Sequence, residues 1–198
     1  MNLLDLIELK KSIKISKIEN LSEEQNKLML SLVNEKIANE TTSLEVANYF
    51  IQKGKDSNIL IRNRHLQHLV YLSFVYHLGL YNKPLAIDPI KAWDFGPVIE
   101  KLYNVLLSYG NGFVNDLLGE KIKADVFSIE SISLLDQIWK IFYLDYTKQH
   151  SDPIDYLSRS ITTTGGVWHD YWVLNKKHYV TINNIDLSQY YNKLITFK

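Results

Sequence analysis

The chain has 198 residues, with 22 basic and 22 acidic side chains, no cysteine and 46% apolar residues. The length fits one domain, with or without an extension, and the apolar share excludes a disordered chain. The missing cysteine excludes a disulfide framework, a thiolate nucleophile and a thiolate zinc site, while neutral charge with few arginines (Arg62, Arg64 and Arg159) argues against base readout in DNA.

Residues 1–42 read as an N-terminal helical extension, and residues 43–198 as the main domain. Met1 to Glu8 carries two acids where a secretory signal carries bases, so no leader is expected. Local basic clusters stand at Lys10, Lys11, Lys14 and Lys17, and again at Lys53, Lys55, Arg62 and Arg64. Ser22-Glu23-Glu24-Gln25 has capping-box spacing, and Leu28, Leu32 and Val33 continue at helical spacing.

Thr42-Ser43-Leu44-Glu45 is a second capping box. Leu44, Ala47, Phe50 and Ile51 form one face, and Gly54 is expected to end that helix. Asn63 is expected to cap the next. Leu66, Leu69, Val70, Phe74 and Leu78 line one side of it, and Tyr71, Leu72, Val75 and Tyr76 fill the others. A helix that is apolar nearly all round is buried, so this is the expected central helix, with Gly79 near its end. Leu66 to Leu80 contains Gln67, His68 and His77 and falls short of the roughly 20 apolar residues that span a bilayer. No membrane contact and a cytoplasmic location are expected.

Asn82-Lys83-Pro84 reads as a turn, with short extended pieces at 85–87 and 90–93. Gly96-Pro97 is expected to start a helix, because proline suits the first helical position. Trp93 would wedge under its first turn, Val98, Leu102, Val105, Leu106 and Tyr109 would face inward, and Gly110 would stop it. Residues 110–127 read as a loop. Leu134, Leu135, Ile138, Phe142 and Tyr146 mark a further helix, and Asp152-Pro153 another start, with Ile154, Leu157 and Ile161 on its face. Thr162 to Gly166 reads as a loop and Val167 to Trp172 as a short helix. Tyr179 to Ile182 alternates weakly as a strand, and Ser188 is expected to cap the last helix. The fold class is mainly α: a compact helical bundle around a buried central helix, with a few short β-strands.

Few residues carry the spacing of a chemical site. His65 and His68 share a helical face, but no acid completes a metal set, and one exposed and one partly buried imidazole are expected. Thr164-Gly165-Gly166 reads as a tight turn. His169 and Asp170 are sequence neighbours and point apart on a helix. No nucleophile, base and orienting group come together. No catalytic residue, metal or cofactor is expected. What stands out is 13 Tyr, 7 Phe and 4 Trp, several at loop–helix junctions: Trp93, Phe95, Trp168, Tyr171 and Trp172. Tyr and Trp are enriched in binding hot spots.

The motifs Val46-Ala47-Asn48-Tyr49-Phe50-Ile51, Leu66-Gln67-His68-Leu69-Val70-Tyr71, Pro84-Leu85 and Ala92-Trp93-Asp94-Phe95-Gly96-Pro97-Val98, with Tyr103, together resemble the Panacea-domain (SocA-like) antitoxin family. Ala-Trp-x-x-Gly-Pro-Val is the most specific piece. The resemblance runs from about Leu44 to the C-terminus. The chain departs from the family where lysine is usual and His68 stands. It departs again where the family's histidine and proline are replaced by Thr162 and Val167, before Trp168. The resemblance implies an antitoxin that binds and neutralises a toxin protein, often encoded beside it. Some members resemble adaptors that deliver the toxin to a AAA+ protease. The candidate partner-binding residues are Trp93, Asp94, Phe95, Tyr103, Trp168 and Tyr171. The alternatives are a DNA-binding autorepressor or dual antitoxin–repressor, using residues 1–42 and the basic clusters, a proteolytic adaptor delivering the toxin to a AAA+ protease, and, ranked lowest, an enzyme.

Overall fold

The computed structural model describes residues 10, 22–38, 41–119, 126–145, 158–159 and 161–195. Among these are seven α-helices: α1 (Glu23–Ala38), α2 (Ser43–Asp56), α3 (Asn63–Tyr81), α4 (Glu100–Leu106), α5 (Ile129–Trp139), α6 (Val167–His169) and α7 (Asn184–Ile195). Four short strands form two antiparallel pairs. Strand β1 (Ile61–Arg62) pairs with β4 (Phe113–Val114), and β2 (Ile90–Trp93) pairs with β3 (Gly96–Ile99). The fold is mainly α, as the sequence predicts.

The central helix is α3. Its Leu66, Leu69, Val70, Tyr71, Leu72, Phe74, Val75 and Leu78 are all buried. Apolar residues on every side let it receive α2, α5 and α7 around its girth. Phe50 of α2, Leu135 and Ile138 of α5, and Leu187 and Tyr190 of α7 complete the core. Gly79 permits the last of these contacts, because any Cβ there would meet the ring of Tyr191 on α7.

Both capping boxes form. The Ser22 Oγ accepts from the Gln25 N–H at 3.2 Å, and the Gln25 Oε1 accepts from the Ser22 N–H at 2.8 Å. Thr42 and Glu45 close the same loop at α2, and the Ser43 N–H donates to Asp88. Lys10 is buried and its Nζ donates to the Phe127 carbonyl at 3.1 Å.

Four expected boundaries move. Helix α2 passes Gly54 and ends at Asp56. Asn63 does not cap α3. It is the first helical residue, and its Nδ2 is taken by the carbonyls of Leu106 and Gly110. Helix α7 begins four residues before Ser188, and Asn183 Oδ1 accepts from the Ile185 N–H instead. The fourth change is the largest. Gly96-Pro97 opens strand β3, and the helix waits until Glu100. Residues 85–87 form bends, the expected loop at 110–127 contains β4, and Val105 is exposed. The expected helix start at Asp152-Pro153, with Ile154, Leu157 and Tyr146, lies outside the described residues, as do Lys11, Lys14 and Lys17.

Candidate functional site

The site grows from the β2–β3 hairpin, whose two-residue tip is Asp94-Phe95. Trp93 lies opposite Gly96, and Ala92 opposite Pro97. The Ala92 N–H donates to the Val180 carbonyl at 2.9 Å, and the Ala92 carbonyl accepts from the Tyr179 N–H at 2.7 Å. Both backbone groups of Ala92 therefore face away from β3. Pro97 sits in a pair that exchanges no ladder bonds, so its missing N–H leaves no gap. This is why proline is accommodated here in a strand, and why the helical reading of Gly96-Pro97 fails. Gly96 leaves the tip at φ +138°, a backbone setting that side-chain-bearing residues rarely adopt.

The outer edge of β2 is covered by residues 179–182. The Ile182 N–H donates to the Ile90 carbonyl, and Thr181 bridges Lys91. The expected strand at Tyr179–Ile182 is thus reduced to one bridge plus these flanking bonds. The approach to this segment is unusual. Lys176 and Tyr179 both have positive φ, at 53° and 59°. A tyrosine in the left-handed region is sterically strained by about 1–2 kcal/mol. Its N–H bond to Ala92 and its hydroxyl bond to Asp94 Oδ1 at 2.5 Å hold it there.

Aromatic rings close behind the hairpin. The Trp168 Nε1 donates to the Trp93 carbonyl at 2.7 Å. Trp93 meets Tyr103 edge-on with centroids 5.0 Å apart, and Tyr179 at 6.2 Å. Trp172 stacks on Trp168 at 6.3 Å and on His178 at 4.0 Å, and its ring meets Tyr179 edge-on at 5.4 Å. Trp168 is buried, and Trp93 and Tyr103 are half-buried. Phe95 is different: it is 93% exposed at the tip. Tyr179, at 56%, flanks it through Asp94. The Lys91–Glu100 ion pair sits at the hairpin's base, its ammonium 2.5 Å from the carboxylate.

Five of the six candidate residues therefore gather: Trp93, Asp94, Phe95, Tyr103 and Trp168. Tyr171 does not join their ring contacts. Its hydroxyl donates to Asp186 Oδ2 at 2.6 Å and accepts from the Asn183 N–H. Burial, then the bond to Asp186, raises its pKa. It lines a separate 280 Å³ cleft with Asp170, Lys177 and Gln189. Tyr179 and His178 belong to the ring cluster and carried no sequence signal as site residues. Only the weak alternation at 179–182 hinted at a partner for β2.

Four described histidines are placed by packing or by short-range partners. His65 and His68 are not one exposed and one partly buried imidazole. His65 is buried against the Tyr143 ring. His68 is half-buried, with its Nε2 3.3 Å from Ser158 Oγ and its Nδ1 shut off from water. Burial first, then the charges of Arg64 and His65, pushes the His68 pKa down to about 3, so it is neutral at physiological pH. His77 bridges the Lys83 carbonyl and Ser131 Oγ. His169 Nδ1 is 3.9 Å from Asp170 Oδ1, beyond a hydrogen bond. Among the described residues no group of three or more His, Asp or Glu could hold a metal ion, and no helix is long and apolar enough to cross a membrane.

Of the basic clusters, Lys55 and Arg64 are exposed, and the other described members are engaged within the fold. Lys10 is buried, Lys53 pairs with Asp136 at 2.5 Å, and Arg62 lies over the Phe113 ring.

A family model described as antitoxin SocA-like, Panacea domain, matches residues 66–151. The span holds α3 from Leu66 onward, both hairpin strands, α4, β4 and α5, and so includes Trp93, Asp94, Phe95 and Tyr103 but not Trp168 or Tyr171. It is narrower than the resemblance read from the sequence. No curated protein and no solved structure matches the chain.

Proposed function

We propose that this chain is the antitoxin of a toxin–antitoxin pair and neutralises its toxin by direct, stoichiometric binding. The antitoxin-like match over residues 66–151 supports a toxin–antitoxin role in general. The observation that favours direct binding is Phe95, a large apolar side chain held almost fully in water on a rigid tip. Exposing one phenyl ring forgoes about 1.5–3 kcal/mol of burial. Here the ring is also pre-positioned, because the strand pairing, the Trp168–Trp93 bond and the Tyr179–Asp94 bond fix the tip. A rigid aromatic anchor loses little conformational entropy when it enters a pocket, which makes it a good hot spot. In this reading Phe95 is the anchor, Asp94 and Tyr179 flank it, and Trp93, Tyr103 and Trp168 hold it in place. Tyr171 belongs to a secondary surface. The partner is a toxin encoded beside this chain's gene, and the setting is the cytoplasm. In this reading the role is non-catalytic regulation, carried by contact area at the tip.

The test is co-expression with the protein encoded beside this gene, followed by affinity capture. Capture in equal molar amounts is expected. Phe95→Ala should weaken the complex by about 2 kcal/mol or more, roughly thirtyfold in Kd. Protection of the cell at a small fraction of the toxin concentration would point instead to turnover.

A further inference from the structure

Helix α1 stands apart from the core. Of its described side chains only Val33 is buried, and Asn26, Met29 and Leu30 are half-buried on the same side. Glu24, Leu28, Leu32 and Lys36, all exposed, form a row that starts opposite Val33 and winds toward the Met29 side. Leu28 is 62% exposed and Leu32 57%. These residues follow one another at intervals of four, so they form a single ridge along the helix. Among the described residues neither Glu24 nor Lys36 has an ion-pair partner.

The ridge is its own complement when reversed. Read from either end it runs charge, leucine, leucine, charge, with opposite signs at the two ends. Two antiparallel copies, related by a dyad midway between Leu28 and Leu32, place Leu28 against the second copy's Leu32. The same operation sets Glu24 against Lys36, and each contact occurs twice. That is the pattern of an isologous two-fold interface. Two ridges of this spacing pack at a crossing angle of roughly −50°, the commonest class for helices in globular proteins. A parallel pairing would instead oppose Glu24 to Glu24 and Lys36 to Lys36.

We propose that this ridge is a self-association face, and that its occupant is α1 of a second copy of the chain. Two crossed helices bury less than the roughly 1,200 Å² of a standard interface, so the dimer is weak and concentration-dependent. It also weakens with salt, because both ion pairs are exposed. The ridge lies outside residues 66–151, so the proposal stands independently of the toxin reading.

The experiment is sedimentation velocity of the full chain over a concentration series in the micromolar range. The wild-type chain should show a reversible monomer–dimer equilibrium. Glu24→Lys and Lys36→Glu should each weaken it at least about tenfold, because the dyad repeats every like-charge pair. Mixed together, those two variants should associate again, since each supplies the charge that the other lacks. Leu28→Ala with Leu32→Ala should abolish association. All four positions are exposed, and an unchanged far-UV circular dichroism spectrum confirms the fold. A wild-type chain monomeric throughout the series would overturn the proposal. So would a dimer indifferent to these substitutions, or a mixture that fails to recover.

Discussion

The indole nitrogen of Trp168 donates to the backbone carbonyl of Trp93, 2.7 Å away and 75 residues earlier in the chain. The bond joins α6 to the last residue of β2, the strand that leads into the Asp94-Phe95 tip. It makes the exposed tip a continuation of the buried core. Trp168→Phe keeps a ring in place but removes the donor. Unfolding free energy should fall by about 1–2 kcal/mol, from a lost hydrogen bond and a smaller buried ring. Chemical denaturation measures this, and an unchanged midpoint would mean that the bond does not fix the hairpin.

Phe74 lies in the middle of α3 and is buried. Phe74→Ala should cost about 3–5 kcal/mol by removing buried area and leaving a cavity. If the unfolding midpoint does not move, α3 is not the centre of the core.

Gly79→Ala separates local preference from packing. Propensity alone favours alanine in a helix by about 1 kcal/mol. The Tyr191 ring occupies the space that the new Cβ needs. The expected outcome is a net loss of about 1–3 kcal/mol, as for other overpacked sites. A stabilised variant would show that α7 yields easily.

The pH dependence follows from His68. Its folded pKa of about 3 lies below the ordinary histidine value of 6.5. Between those values the unfolded chain binds a proton that the folded chain does not, so stability rises with pH. The contribution is complete above pH 6.5 and is lost progressively as pH falls toward 3. The slope approaches about 1.4 kcal/mol per pH unit for this residue. His77 is lowered in the same direction, burial being the main cause, and adds to the loss. Denaturation midpoints measured at pH 7, 6 and 5 should fall in that order, and His68→Gln should flatten the trend.

The helices were legible wherever periodicity and capping agreed. Thr42 with Glu45 and the all-round apolar run from Leu66 to Leu78 carry their reasons locally, in side-chain spacing. Gly96-Pro97 misled because proline at a helix start and proline at a non-bonded strand position look alike in sequence. The difference is whether Ala92 spends its backbone groups on Pro97 or on Tyr179 and Val180, a contact more than 80 residues distant in the chain. Tyr179 was invisible for the same reason. Its left-handed backbone and its bond to Asp94 exist only once the C-terminal segment lies along β2. Trp93, Asp94, Phe95, Tyr103 and Trp168 stand out by motif and composition, and the fold brings them together around the hairpin. Tyr171 shared those signals but turns to Asp186.

The most direct test of stoichiometric gripping through the hairpin tip is isothermal titration calorimetry. The purified chain is titrated into the purified protein encoded beside its gene, with Phe95→Ala in parallel. The predicted result is a one-to-one endpoint for the wild-type chain. Phe95→Ala should keep its unfolding free energy within about 0.5 kcal/mol while its Kd rises roughly thirtyfold. No binding by the wild-type chain, or equal Kd values for both chains, would contradict it.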